Sequence, residues 1–168
     1  MAPIKPSETV SIISTPRYAP DNSGHKTVQE ASMIEDLTPR QVWEALMSNP
    51  DAALCDVRTT AEWNFVGLPD LSQTGKQPVL IQWQVFPTMQ PNPKFMEALA
   101  QAHVGPDHHV YFLCRSGARS MAAAQAAKAA GYKHVYNIKD GFEGPPDARN
   151  HRGNIAGWKQ EGLPWKQG

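Results

Sequence analysis

Seven consecutive residues, Cys114-Arg115-Ser116-Gly117-Ala118-Arg119-Ser120, place a thiol beside two guanidinium groups, two hydroxyls and a glycine. Ahead of them Val110-Tyr111-Phe112-Leu113 is an apolar run of β-formers that predicts a short buried strand. Behind them an alanine-rich run from Met121 through Ala130 predicts a helix. A cysteine at the carboxyl end of a parallel strand, facing the amino end of a helix, lies where open α/β sheets bind ligands. In such a loop successive backbone N–H groups converge on one point, and the helix dipole adds positive potential. Arg115 and Arg119 contribute two formal charges. This setting favours loss of the thiol proton, and the thiolate is the nucleophile. What the residues themselves show is a nucleophilic thiol in an anion-binding loop. Ser116, Gly117, Ala118, Arg119 and Ser120 supply anion-binding amides, and Gly117 provides the positive φ or close backbone approach that a tight loop needs. Arg115 is expected to point at the pocket entrance. Arg119, which begins the helix, either adds charge or anchors the loop through backbone carbonyls.

Those residues need a scaffold, and the rest of the chain outlines one. Thr38-Pro39-Arg40-Gln41 is a capping-box pattern with proline at the first helical position, followed by Val42, Trp43, Leu46 and Met47 on one apolar face. Ala52 to Val57 reads as a buried strand, and Thr59-Thr60-Ala61-Glu62-Trp63 as a short threonine-capped helix. A third strand is expected over Pro78–Trp83, and a helix from Asn92-Pro93 carrying Phe95, Met96, Leu99 and Ala100. Gly131 caps the helix behind the cysteine loop, and His134–Ile138 alternates as a last strand. Strands alternating with helices imply an α/β fold: an open, mostly parallel five-stranded sheet with helices on both faces.

Cys-Arg-Ser-Gly-Ala-Arg-Ser after an apolar strand resembles the active-site loop of the rhodanese family of sulfurtransferases. Asp56-Val57-Arg58 followed by Glu62-Trp63 is similar to a second family segment, which braces the fold near that loop; Asp56, Arg58 and Glu62 are therefore assigned to structure. Asp140-Gly141-Phe142 and Gly157-Trp158 through Gly162-Leu163-Pro164 are similar to the family's closing turn and tail. The resemblance covers residues 34–168, leaving 1–33 as an irregular arm in which Val10-Ser11-Ile12-Ile13 is a candidate strand. That arm is either partly disordered or a dimer contact. Two departures stand out. Val66-Gly67-Leu68-Pro69 occupies the register where the family has Gly-His-Ile and a proline. An insertion, residues 143–156, interrupts the tail and is either a surface loop or a border of the Cys114 pocket that helps choose the substrate.

The resemblance implies transfer of a sulfane sulfur from a small anionic donor such as thiosulfate, through a Cys114 persulfide, to a thiol or cyanide acceptor. A relay that docks one protein acceptor is the alternative from another class. A cysteine phosphatase or arsenate reductase fits less well. Such enzymes need five residues between cysteine and arginine, whereas four separate Cys114 from Arg119, and Leu113 stands where a histidine often precedes the phosphatase cysteine.

Composition narrows the remaining classes. Among 168 residues, 16 basic and 16 acidic side chains cancel, which removes any global attraction to nucleic acid or an anionic membrane. No apolar run reaches transmembrane length and the amino terminus lacks a secretory pattern, so a cytoplasmic setting is expected. Two cysteines make no disulfide framework; Cys55, in an apolar strand, is an inert core thiol rather than a resolving cysteine. His103, His108, His109, His134 and His151 lack ligand spacing, so no metal is implied, and no other cofactor is.

Overall fold

The computed structural model describes residues 33–168. The candidate strand at Val10–Ile13 and the proposed arm contact lie outside the described residues.

Five strands form one sheet in the order β1-β8-β7-β2-β4, and every neighbouring pair is parallel. They are β1 (Glu35–Leu37), β2 (Ala52–Asp56), β4 (Val79–Leu80), β7 (His109–Leu113) and β8 (His134–Ile138). The central strand, β7, is the one that delivers Cys114. It pairs with β2 from Ala52 opposite His109 to Asp56 opposite Leu113, and with β8 from His109 opposite His134 to Phe112 opposite Asn137. Successive side chains on a strand point to opposite faces, and β7 uses both. Val110 and Phe112 pack on one side with Phe95, Leu99, Ala123, Ala124 and Ala127. Tyr111 and Leu113 pack on the other with Val42, Leu46, Phe142 and Trp158.

The α-helices among the described residues are α1 (Pro39–Ser48), α2 (Thr60–Phe65), α3 (Phe95–Gln101) and α4 (Ala118–Ala129), and all but α2 bury residues against those faces. Helices α3 and α4 share the first core cluster, whereas α1 and the chain after Phe142 share the second. The Thr38 capping box forms as expected, with the Gln41 N–H donating to the Thr38 hydroxyl and the Thr38 N–H donating to the Gln41 side chain. Met47 departs from the expected apolar face: Val42 and Leu46 are buried, but Met47 is 54 % exposed. Helix α4 starts three residues earlier than composition suggests, at Ala118, because Gly117 adopts a left-handed conformation and turns the chain into it. At the other end Gly131 (φ +102°) closes the helix, with the Tyr132 N–H donating to the Ala127 carbonyl.

Two strands differ from the sequence reading. The expected strand over Pro78–Trp83 narrows to Val79–Leu80, although the Ile81 and Trp83 N–H groups still donate to the Asp56 and Val57 carbonyls. The chain then leaves the sheet for a separate hairpin, β5 (Gln84–Val85) with β6 (Gln90–Pro91). The fifth strand is β1, whose three residues pair parallel with Tyr136–Ile138. Glu-Asp-Leu carries no apolar alternation; it is a strand because an edge position beside β8 exposes Glu35 and Asp36 and half-buries Leu37. A last pair, β3 (Leu68–Pro69) with β9 (Trp165–Lys166), is antiparallel and ties the tail back to the segment after α2.

Candidate active site

Cys114 leaves the end of β7 almost fully buried, 1 % exposed, and its sulfur is met by polar groups from the following loop and from the first turn of α4. The Gly117 N–H donates to Sγ at 3.1 Å, and the Ser120 hydroxyl oxygen lies 3.2 Å from it. Gly117 makes this possible by adopting φ +116°, ψ −13°, a conformation that an L-residue rarely takes. A Cβ there would find only ordinary contacts, so the requirement for glycine is in the backbone. Of the amide set expected around the sulfur, the Gly117 N–H is the one within hydrogen-bond distance, and Ser120 reaches through its hydroxyl. Arg115, Ser116 and Ala118 are exposed.

Arg119 neither anchors the loop through backbone carbonyls nor stands free as a second cation. Its guanidinium forms a two-pronged pair with Glu62 of α2, Nη1 to Oε1 at 2.7 Å and Nη2 to Oε2 at 2.9 Å. Burial pushes the Glu62 carboxyl up, but the Arg119 hydrogen bonds and charge, with the Thr59 N–H and hydroxyl, hold it below its usual range. The same hydrogen bonds raise Arg119 further above its already high value. Glu62 thus has two partners: it closes the capping box of α2 with Thr59 and grips the first turn of α4. Its assignment to structure is incomplete, because the structure it holds is the cysteine loop.

The Asp56–Arg58 pair is a separate device. Both side chains are fully buried and meet at 2.7 Å, and Arg58 Nη2 also donates to the Gly67 carbonyl at 2.7 Å. Arg58 Nη1 has no hydrogen-bond partner among the described residues, while the guanidinium carbon lies 4.3 Å from the centre of the Phe142 ring. That cation–π contact ties β2 to the turn after β8, and the turn in turn touches the loop. The Phe142 N–H donates to the Cys114 carbonyl at 2.8 Å. Gly141 passes so close that a Cβ would stand 2.4 Å from the Cys114 carbonyl oxygen.

Comparison with known proteins shows the family to which this fold belongs. The family model described as "STR4 middle domain" matches residues 35–168. The chain belongs to this rhodanese-like family. It is 38 % identical over 135 residues to the uncharacterized protein RC0915 of Rickettsia conorii, covering 79 % of this chain and 98 % of that one. It superposes on the crystal structure of Rv0390 from M. tuberculosis with a TM-score of 0.72 and 47 % identity, covering 80 % of this chain and 98 % of the other. A protein named sulfurtransferase from Allochromatium vinosum is 26 % identical over 132 residues, covering 79 % and 94 %. Sulfurtransferases are therefore among the more distant members of the rhodanese-like group to which the chain is similar.

Within this rhodanese-like frame the 143–156 insertion meets the site at its stem. The Glu143 and Gly144 N–H groups both donate to the Arg115 carbonyl, at 2.9 and 3.2 Å, and Arg152 Nη1 donates to the Gly144 carbonyl at 2.7 Å. Beyond the stem, Asp147 organises its own turn by accepting from the Arg149 and His151 N–H groups and from Asn154. Sequence reasoning missed Asn137 and Asp36. Asn137 sits in the second layer behind the sulfur, accepting from Ser120 at 2.5 Å and donating to Asp36 at 2.8 Å. A signal existed for Asn137: alternation along β8 turns it to the same side as the buried Val135, so it is a polar residue at an inward position. Asp36 had none.

Cys55 shows the contrast. It is fully buried in the same apolar cluster as Cys114, and burial, then the charge of Asp56, pushes its thiol well above the ordinary value. No hydrogen-bond donor approaches its sulfur among the described residues. No helix among them is long and apolar enough to cross a membrane.

Proposed function

We propose that this chain is a sulfurtransferase in which Cys114 carries the sulfur. The observation that supports it best is the Cys114 sulfur seated at the carboxyl edge of a parallel sheet, facing the Gly117 N–H and the Ser120 hydroxyl at the start of α4. In the first step the Cys114 thiolate attacks the outer sulfur of thiosulfate or of a persulfide donor. The donor's S–S bond breaks, its electron pair leaves with sulfite or the donor thiolate, and a persulfide remains on Cys114. In the second step an acceptor thiolate, or cyanide, attacks the terminal sulfur and the electron pair returns to Sγ. Two displacements through a covalent intermediate give ping-pong kinetics. Arg115, next to the nucleophile in sequence and exposed, steers the anionic donor, while Arg119, held by Glu62, keeps α4 and the loop in place. The insertion stem, bonded through the Glu143 and Gly144 N–H groups to the Arg115 carbonyl, supports a part for residues 143–156 in choosing the donor.

Loop length argues against phosphoryl or arsenate chemistry. Arg119, which would have to enclose a tetrahedral oxyanion, is committed to Glu62 instead. Delivery to a protein acceptor is the second reading. It is favoured by the exposed hairpin residues Val85, Phe86 and Met89, with Phe86 sharing a surface cavity with Thr59 and Thr60 at the start of α2.

The test is an intact mass of reduced protein after exposure to thiosulfate and desalting, beside Cys114→Ser. Gain of one sulfur in the parent only, discharged by cyanide, is the expected outcome. Absence of any adduct with thiosulfate and with polysulfide rejects the proposal. Discharge by one protein acceptor but not by small thiols favours the second reading.

A further inference from the structure

The hydrogen bonds behind Cys114 can be counted proton by proton. Asn137 is 4 % exposed and Ser120 fully buried, so their polar atoms have no water to fall back on. The Asn137 amide nitrogen faces two acceptors, Asp36 Oδ1 at 2.8 Å and the Gly117 carbonyl at 3.2 Å. Both require an N–H, which settles the orientation of the amide and leaves its carbonyl oxygen facing Ser120 Oγ at 2.5 Å. That oxygen can only accept, so the single Ser120 proton is committed to it. Ser120 Oγ has two further contacts at 3.2 Å: the Gly117 carbonyl, which already accepts from Asn137 Nδ2 and from the Met121 N–H, and Sγ, which is then satisfied from the other side, by the Cys114 S–H donating to a Ser120 lone pair.

This arrangement holds for a thiol and fails for a thiolate. Once the S–H proton has passed to water, Sγ has no hydrogen to offer and needs donors. The Gly117 N–H remains, and a second donor is obtained by rotating the Ser120 O–H from Asn137 to the sulfur. That rotation leaves the buried Asn137 carbonyl without a donor, which is unfavourable. We propose that Asn137, aligned by Asp36, is a positioning residue that holds the Ser120 hydroxyl off Cys114 in the thiol state and yields it to the sulfur when the thiol ionises. The device rests on Cys114 being the working thiol. It makes the ionisation of Cys114 a property of β1 and β8 as well as of its own loop.

Other charged and titratable groups surround the cysteine. Arg115 and Arg119 lie on its own loop, and Glu62 comes from α2. Strand β2 brings Cys55 and Asp56, with Arg58 just beyond it, and Lys139, Asp140 and Glu143 follow β8. All of them are unchanged in the variants that test the switch, so differences between variants report the hydrogen bonds.

The measurement is the ultraviolet thiolate absorbance as a function of pH, taken as the difference from Cys114→Ser so that Cys55 cancels. It needs no sulfur donor, so it remains readable if the persulfide assay fails. Asn137→Leu, close in size and unable to accept, frees the Ser120 proton and is expected to lower the Cys114 midpoint by about one pH unit. Ser120→Ala is expected to raise it, and adding Asn137→Leu to Ser120→Ala is expected to change nothing further. An Asn137→Leu midpoint equal to the parent's, or an equal drop with and without Ser120, overturns the proposal. Should Asn137→Leu not fold, the exposed Asp36 serves instead. Asp36→Asn and Asp36→Ala lose the same charge, but only alanine loses the acceptor, so a lower midpoint for alanine than for asparagine supports the switch and equal midpoints overturn it.

Discussion

Cys55 and Cys114 are both buried, and both belong to one apolar cluster on the same face of the sheet. One residue lies within β2, the other just past the end of β7. Within a strand the backbone donors are spent on the ladder, and Cys55 meets apolar neighbours and the carboxylate of Asp56, which together hold its proton on. Past the strand end the ladder stops, and the donors of a loop and of a helix's first turn become available to the sulfur. Burial is common to both thiols, so burial does not make a nucleophile. The supply of donors does.

The largest expected effect comes from exchanging the two residues' fates by mutation. Cys114→Ser should abolish sulfur loading in the mass measurement, whereas Cys55→Ser should leave loading intact. Cys55→Ser does carry a stability cost, about 1–3 kcal/mol for a hydroxyl buried among apolar groups, readable as a lower urea midpoint. Loading that survives in Cys114→Ser and vanishes in Cys55→Ser would reverse the comparison.

A second way to break it is to make the Cys114 loop behave like a strand. Gly117→Ala keeps ordinary contacts but places an L-residue at φ +116°, a strain of about 1–3 kcal/mol. The expected relief is a backbone shift that withdraws the N–H from Sγ, so loading slows more than the drop in melting temperature accounts for. Gly141→Ala should act through collision instead, since its Cβ would enter the Cys114 and Arg115 carbonyls, and loss of folded protein on a thermal melt is the expected result.

The smallest effect concerns what steadies the loop. Glu62 is held below its usual carboxylate range, so the pair with Arg119 contributes stability above the unfolded-state value and loses it as pH falls through the folded one. Acid titration of the parent should therefore show a decline in that window that Glu62→Gln lacks. The pair is partly exposed and the change in melting temperature is expected to be modest. A slower loading rate in Glu62→Gln at neutral pH, without loss of fold, would show that the brace acts on the loop.

Much of this was legible from local pattern. The strand, the cysteine, the glycine and the helix are contiguous, and their meaning depends on neighbours within one turn of chain. The same holds for the capping boxes at Thr38 and Thr59, which close over three residues. The continuous apolar run of β7 was enough to mark a buried strand, and alternation was enough to mark β8. The short strand β1 escaped notice because an exposed edge strand of three residues has no inward face to be patterned. Strand β4 was overestimated because an apolar run says that a segment is buried or extended, not how long its ladder stays regular.

The sequence by itself determined that a thiol would stand between a strand and a helix in a glycine-turned, arginine-flanked loop. Tertiary structure alone decided who supports that thiol. Glu62 reaches Arg119 across 57 residues of chain, and Asp36 reaches Asn137 across 101. Arg58 is buried because the turn at Phe142 closes over it. Such pairs leave no period in the sequence, since their spacing is set by the order in which parallel strands cross the sheet. They come into contact only when β1, β8, β7 and β2 lie side by side.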